Sequence, residues 1–312
     1  MKTDPAALVE RALSGDRGAV AKLLSLVEEG GDGARAATKA LHPHSGRAWS
    51  IGITGAPGAG KSTLTDRLIG AVRATGAEIG VLAVDPTSPF SGGAILGDRV
   101  RMQEHATDAG VFIRSMATRG HLGGLALATP QAVRVLDAIG KPWIVVETVG
   151  VGQVEVEIAG HADTTVVVVN PGWGDAVQAA KAGLLEVADI FVVNKADRPG
   201  APDAVRDLDG MLEMAGALEW RPPIVSTVAT TGDGIDELWD AICRHRAYLE
   251  SSDGLTRQRH ERVAAEVRTI VAERLLEQAA ATCRGPRFDE LISEVEARTR
   301  DPYGAADALL AE

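Results

Sequence analysis

The stretch Gly55-Ala56-Pro57-Gly58-Ala59-Gly60-Lys61-Ser62-Thr63 follows an apolar run, Trp49 to Ile53, and leads into Leu64, Leu68 and Val72 at helical spacing. This is a complete Walker A loop in a strand–loop–helix setting, which constrains the fold more than any other feature of the chain. Gly55, Gly58 and Gly60 let backbone N–H groups turn inward as an anion nest at the start of a helix. Lys61 is spaced to reach the β- and γ-phosphates, the Ser62 hydroxyl to bind Mg²⁺, and Ala59 and Thr63 belong to the same cradle. A nucleoside triphosphate site is predicted here.

A strand that feeds such a loop needs parallel neighbours. Short apolar runs recur at 49–54, 78–84, 111–115, 143–147, 164–169, 189–193 and 223–226, with amphipathic stretches between them. The alternation predicts an α/β fold: a doubly wound, mainly parallel sheet, buried on both faces, with its ligand at the carboxyl ends of the strands. A P-loop domain over 46–250 then has a helical N-terminal extension, 1–45, and a helical C-terminal arm, 251–312. In the extension, Ala7, Leu8, Ala12, Val20, Leu23, Leu24 and Val27 recur at helical spacing, and Gly30-Gly31-Asp32-Gly33 interrupts them. In the arm, Leu255 to Ala281 reads as one long helix with Val263, Val267, Ile270, Val271 and Leu275 as its apolar stripe. The stripe serves either to flank the domain or to meet a second copy of the chain.

The base is chosen by Asn194-Lys195-Ala196-Asp197, at the end of the apolar run Ala188 to Val193. An Asp carboxylate there accepts from the N1–H and the exocyclic amine of guanine. Adenine offers neither donor and leaves the carboxylate without its partners. Asn194 would brace the loop, and the Lys195 stem would cover the ring. GTP rather than ATP is the expected ligand.

Acidic residues stand where Mg²⁺ and the γ-phosphate should lie. Asp85, in Asp85-Pro86-Thr87-Ser88, and Asp98, in the glycine-rich 91–99 stretch, are hard oxygen donors suited to Mg²⁺. Glu147-Thr148-Val149-Gly150 ends another strand, where many GTPases have Asp-x-x-Gly. Glu147 reaches the metal through water, and the Gly150 amide contacts the γ-phosphate. Loss of that phosphate would release the loop. Gln153 is a candidate for orienting water. A further glycine-bracketed loop runs from Asn170 through Trp173 and Asp175 to Lys181.

Lys and Arg number 32 against 43 acidic residues, a formal charge of −11, which argues against a nucleic-acid surface. Two cysteines are too few for a disulfide framework and suit a reducing compartment. Without a CxxC there is little support for a metal store. No signal core or apolar run of about 18 residues is present. A soluble cytoplasmic protein with no membrane contact is expected.

Taken in order, the Walker A loop, Asp85-Pro-Thr-Ser, Gly92 to Arg99, Glu147-Thr-Val-Gly-Val-Gly-Gln, Gly174-Asp175 with Gln178 and Lys181-Ala-Gly, and Asn194-Lys-Ala-Asp resemble the MeaB/ArgK family, the methylmalonyl-CoA mutase-associated GTPases. The resemblance spans almost the whole chain, through Asp301-Pro302-Tyr303-Gly304. It implies a homodimeric GTP-hydrolysing chaperone that assists adenosylcobalamin loading and protection of methylmalonyl-CoA mutase. It also implies phosphate and Mg²⁺ roles for Lys61, Ser62, Asp85, Asp98 and Glu147, and a partner-responsive switch at 170–181 that includes Lys181. By the same resemblance Val228 and Ala229 belong to the last guanine-contacting loop, where Thr227-Val228-Ala229-Thr230 departs from the family's usual Ser-Ala. Ala229 still offers a backbone N–H to the guanine oxygen, so guanine specificity is expected to survive with slightly altered anchoring of the loop. Two alternatives stand beside this reading: a metallochaperone GTPase for another metalloenzyme, and a kinase or NTPase serving amino-acid transport.

Overall fold

The computed structural model describes residues 4–86, 105, 107–118, 124–148, 162–172 and 187–311; the side chains of 85, 86, 117, 118 and 124–127 lie outside that description. By contact the chain divides into two compact units, Met1–Arg262 and Val263–Glu312.

The first unit is built on a seven-stranded sheet, and the strands lie where the apolar runs placed them. In chain order they are β1 (Trp49–Gly55), β2 (Ile79–Pro86), β3 (Val111–Thr118), β4 (Trp143–Thr148), β5 (Thr164–Val169), β6 (Ile190–Asn194) and β7 (Ile224–Thr227). They run β3-β2-β4-β1-β5-β6-β7 across the sheet, and each neighbouring pair is parallel. Such strands are buried on both faces, so they read as unbroken apolar runs rather than as alternation. On one face Ile51, Ile53, Val145, Val166, Val168, Ile190 and Val192 pack with Leu64, Leu68, Ile69 and Val72 of α4 (Lys61–Ala74). The same cluster takes in Leu238 and Ile242 of the helix Ile235–Ser251. On the other face the next residues along the strands, Ile144, Val146, Leu82 and Val84, meet α5 (Gly124–Ala138) and the N-terminal helices.

Those N-terminal helices are α1 (Pro5–Leu13), α2 (Arg17–Glu29) and α3 (Gly31–Leu41). Leu8, Val20, Leu23, Leu24, Val27 and Leu41 are buried in the same cluster as the sheet. Each such side chain contributes about 1.5–3 kcal/mol on burial, so this extension is part of the core of the first unit. Arg17 also donates to the carbonyls of Ala109 and Val111, where β3 begins, at 3.1 and 2.9 Å.

At the amino-terminal ends of β1, β5 and β6 a polar chain ties three adjacent strands together. Trp49 Nε1 donates to Thr164 Oγ1 (3.0 Å), which meets His245 Nδ1 (3.0 Å), while His245 Nε2 faces Asp189 Oδ1 at 3.3 Å. Burial lowers His245 to about 4, so the imidazole is uncharged at neutral pH. Thr164 Oγ1, which already accepts from Trp49, donates its proton to the Nδ1 of this neutral ring. Beside it, buried Asp163 accepts from the Ser50 amide and hydroxyl at 2.9 and 3.0 Å. It is also paired with Arg259 (3.1 Å) and Arg262. Burial alone would push the Asp163 carboxyl up; the two guanidiniums outweigh it and hold the group below the ordinary carboxylate range. The pairing is therefore intact at neutral pH and lapses only as the pH falls through that lowered value.

The long helix Gly254–Thr282 covers the stretch expected to be one helix, and it has no buried residue. In the second unit Val263, Val267, Val271, Leu275 and Leu276 are each at least half exposed. The helix Pro286–Glu296 follows, and then Pro302–Leu310, capped by Asp301 Oδ1 accepting from the Tyr303 and Gly304 amides at 3.0 and 3.1 Å. The signal of this last helix was the Asp-Pro pair, an N-cap followed by proline at the first helical position. Among the described residues no helix is long and apolar enough to cross a membrane.

Candidate functional site

Parallel pairing brings the carboxyl ends of β4, β1, β6 and β7 to one rim, and the polar residues named in the sequence sit on those ends. Register sets Gly55 beside Val168 of β5 and Ile53 beside Glu147 of β4, so the Glu147 carboxylate reaches the first turn of α4. Gly55 has φ 135°, and a Cβ there would come within 2.0 Å of the Val168 carbonyl oxygen. No other residue type is compatible with that contact.

The loop turns through Gly58 and Gly60 (φ 73° and 93°) into α4. The first N–H groups of a helix have no partner within it, so the start of α4 presents donors and the positive end of the helix dipole. Lys61 is buried, and its Nζ donates to the carbonyls of Gly55 (2.6 Å) and Ala56 (3.1 Å). The ammonium is thereby held inside the curl of its own loop. Ser62 and Glu147 are buried together, with Ser62 Oγ donating to Glu147 Oε1 at 2.6 Å. A hydroxyl and a carboxylate side by side at a helix N-terminus are hard oxygen donors, the set that suits Mg²⁺ shared with phosphate.

Asn194, at the end of β6, is 2% exposed. Its Nδ2 donates to the Ala59 carbonyl at 2.7 Å; its Oδ1 accepts from Thr227 Oγ1 at 3.1 Å and from the Ala229 amide at 3.2 Å. One side chain thus joins the phosphate loop to the loop after β7. The Thr227 hydroxyl anchors that loop, and the departure from Ser-Ala leaves it tied to Asn194. Gly60 belongs to the same device, since a Cβ there would meet Asn194 Nδ2 at 2.4 Å. Lys195, at φ 59°, stretches its Nζ to the Gly58 carbonyl at 2.6 Å. Its stem so forms a wall of a pocket lined by Gly60, Thr63, Asn194, Asp197, Val228, Ala229 and Thr230. Asp197 is exposed at this pocket.

Of the residues named from the sequence, Lys61, Ser62 and Glu147 on the phosphate side and Asn194, Lys195 and Asp197 on the base side are joined through the phosphate loop. Asp98, Gly150 and Lys181 lie outside the described residues, as do Gln153, Trp173 and Asp175; of Asp85, the backbone is paired with Ala117 in β2–β3 and the side chain lies outside the description. His42 and His44, two apart in the sequence, lie exposed in a short turn. Among the described residues no group of three His, Cys, Asp or Glu could hold a metal ion. The contacts of Asn194 with Ala59 and of Lys195 with Gly58 carry no sequence signal, because they join segments far apart in the chain.

Comparison with known proteins places these features in a group. The profile of the family described as methylmalonyl Co-A mutase-associated GTPase MeaB matches residues 20–284. A Pyrococcus abyssi protein named as a GTPase is 53% identical over 309 residues, 98% of this chain and 95% of that one. A mouse protein, the mitochondrial methylmalonic aciduria type A homolog, is 34% identical over 272 residues, 83% of this chain and 64% of that one. The solved structure of an LAO/AO transport system kinase superposes with a TM-score of 0.72 at 26% identity, covering 100% of this chain and 98% of the other.

Proposed function

The chain belongs to the MeaB family of GTPases, and from that premise we propose that its GTP cycle serves methylmalonyl-CoA mutase, assisting the loading of adenosylcobalamin and protecting the mutase. The observation that carries the nucleotide part is the continuity of one site. Lys61, Ser62 and Glu147 sit at one end, Asn194 and Asp197 at the other, and the Asn194 amide joins them.

In this reading the N–H groups at the start of α4 and the Lys61 ammonium hold the β- and γ-phosphates. Ser62 and Glu147 are the described residues that would hold Mg²⁺, which supplies charge neutralisation at the phosphate oxygens. Water attacks the γ-phosphorus, the bond to the β-bridging oxygen breaks, and Lys61 stabilises the negative charge left on GDP. Asp98 and Asp85 are proposed as further metal donors, the Gly150 amide as the γ-phosphate sensor, and Lys181 as part of the loop that reads the partner. The Asp197 carboxylate selects guanine.

The mutase part is supported by the family's name, methylmalonyl Co-A mutase-associated GTPase. The test is GTP hydrolysis with and without the cognate mutase, alongside calorimetric binding in GDP and in a non-hydrolysable analogue. We expect the mutase to raise the turnover rate and the two nucleotide states to bind it with different affinity. Equal rates and equal affinities would assign the GTPase to another client.

We further propose a homodimer formed through the C-terminal arm, since the Val263, Val267, Val271 and Leu275 stripe leaves four large apolar side chains exposed on one helix. Light scattering of the full chain should report a dimer, and a chain ending at Arg262 a monomer that still binds GTP. The cut must keep Arg259 and Arg262. Ending the chain at Glu250 would leave buried Asp163 without either guanidinium, at a cost of about 3–5 kcal/mol. A full-length monomer at micromolar concentration would refute the dimer.

A further inference from the structure

The loop after β7 is held by two side chains, and only one of them is part of the nucleotide site described above. Asn194 takes the Ala229 amide. Independently of Asn194, Arg67 of α4 donates through Nε to the Ala229 carbonyl at 3.1 Å and through Nη2 to the Thr230 carbonyl at 3.2 Å. Arg67 stands one turn beyond Thr63, which lines the pocket with Ala229 and Thr230. The helix that starts at the phosphate loop therefore also grips the backbone facing the base. Arg67 is exposed, and Leu64, Leu68 and Ile69 supply the buried face of α4. No packing demand accounts for arginine at this position. A planar guanidinium fork can donate in two directions at once to successive carbonyls, which a lysine ammonium on its flexible stem reproduces only in part.

We propose that Arg67 is a specificity-determining positioning residue: it sets the Ala229–Thr230 backbone against the guanine edge and couples base recognition to the phosphate-binding helix. The inference rests on the guanine-site reading of Asn194 and Asp197.

The test uses the full chain and its Arg67→Met and Arg67→Lys variants. Affinities for GDP, IDP and ADP are measured by displacement of a fluorescent nucleotide, with kcat and KM for GTP and thermal melting in parallel. In Arg67→Met, GDP and IDP, which share the six-position oxygen, should each weaken about tenfold, or 1.4 kcal/mol. ADP affinity, kcat at saturating GTP and the melting temperature should stay near wild type, and Arg67→Lys should recover part of the loss. A GDP affinity unchanged in Arg67→Met overturns the proposal, and so does an equal loss for ADP, which marks general damage. A wild-type protein that does not distinguish GDP from ADP would instead overturn the guanine-site reading itself.

Discussion

Replacing Lys61 with alanine should abolish measurable GTP hydrolysis and weaken GTP far more than guanosine. The side chain is 6% exposed, and its ammonium is held between the Gly55 and Ala56 carbonyls. In the proposed mechanism its charge is thus already placed, and poorly screened, where negative charge would grow as GDP departs. Removing a preorganised donor of this kind costs about 10²–10³ in kcat. The loss here should reach the upper part of that range or beyond it, since a full positive charge goes with the donor. Single-turnover hydrolysis and stopped-flow binding of fluorescent GTP measure the two effects separately. Turnover and affinity equal to wild type would take Lys61 out of the mechanism. A loss shared equally by guanosine would point to collapse of the loop, because guanosine has no phosphate for the ammonium to meet.

Base choice gives the second large effect. Asp197→Asn replaces one carboxylate oxygen with an NH₂ donor. That pattern matches xanthine, whose second carbonyl stands where guanine has its amine. Preference should move from GTP toward XTP by about 100-fold or more, close to 3 kcal/mol, as for mismatched hydrogen-bonding groups in a recognition site. Asp197 is exposed at the pocket, so water competes with the base and the value should lie near that lower bound. Competition of GTP, XTP and ATP against one fluorescent analogue measures the change. Wild-type protein binding ATP as tightly as GTP would defeat the assignment of Asp197 before any variant is made.

Much of this architecture was legible because a doubly buried parallel strand advertises itself. Thr164 to Val169 and Ile190 to Val193 are apolar or β-branched almost throughout, and both lie inside the sheet with neighbours on each side. Strand ends were less visible. β2 and β3 stay paired as far as Pro86 and Thr118, past the apolar residues that marked them, because backbone pairing continues where the side-chain pattern has stopped. The phosphate loop and Asn194 to Asp197 could be named from the sequence since each is a contiguous group. What joins them could not. The contact from Asn194 to the Ala59 carbonyl, the reach of Arg67 to the Ala229 and Thr230 carbonyls, and the pairing of Asp163 with Arg259 and Arg262 all depend on the fold bringing distant residues together. A polar residue in a helix pattern looks the same whether it faces water or holds a loop.

The Asp163 pairing also bears on the order in which the protein is made. The carboxylate stands at the foot of β5, whereas its two guanidiniums lie in the helix that begins at Gly254. On the ribosome every strand of the sheet is complete once Thr227 has been added, yet the charge at the base of the sheet is still uncompensated. Synthesis at about 5–20 residues per second leaves an interval of some seconds before Arg259 and Arg262 follow. A nascent chain would therefore hold a nearly finished sheet with a carboxylate that must either stay hydrated or take up a proton. The root of the arm closes the domain, so a polypeptide released before Arg259 would lack the last contact its sheet requires and stand open to proteolysis.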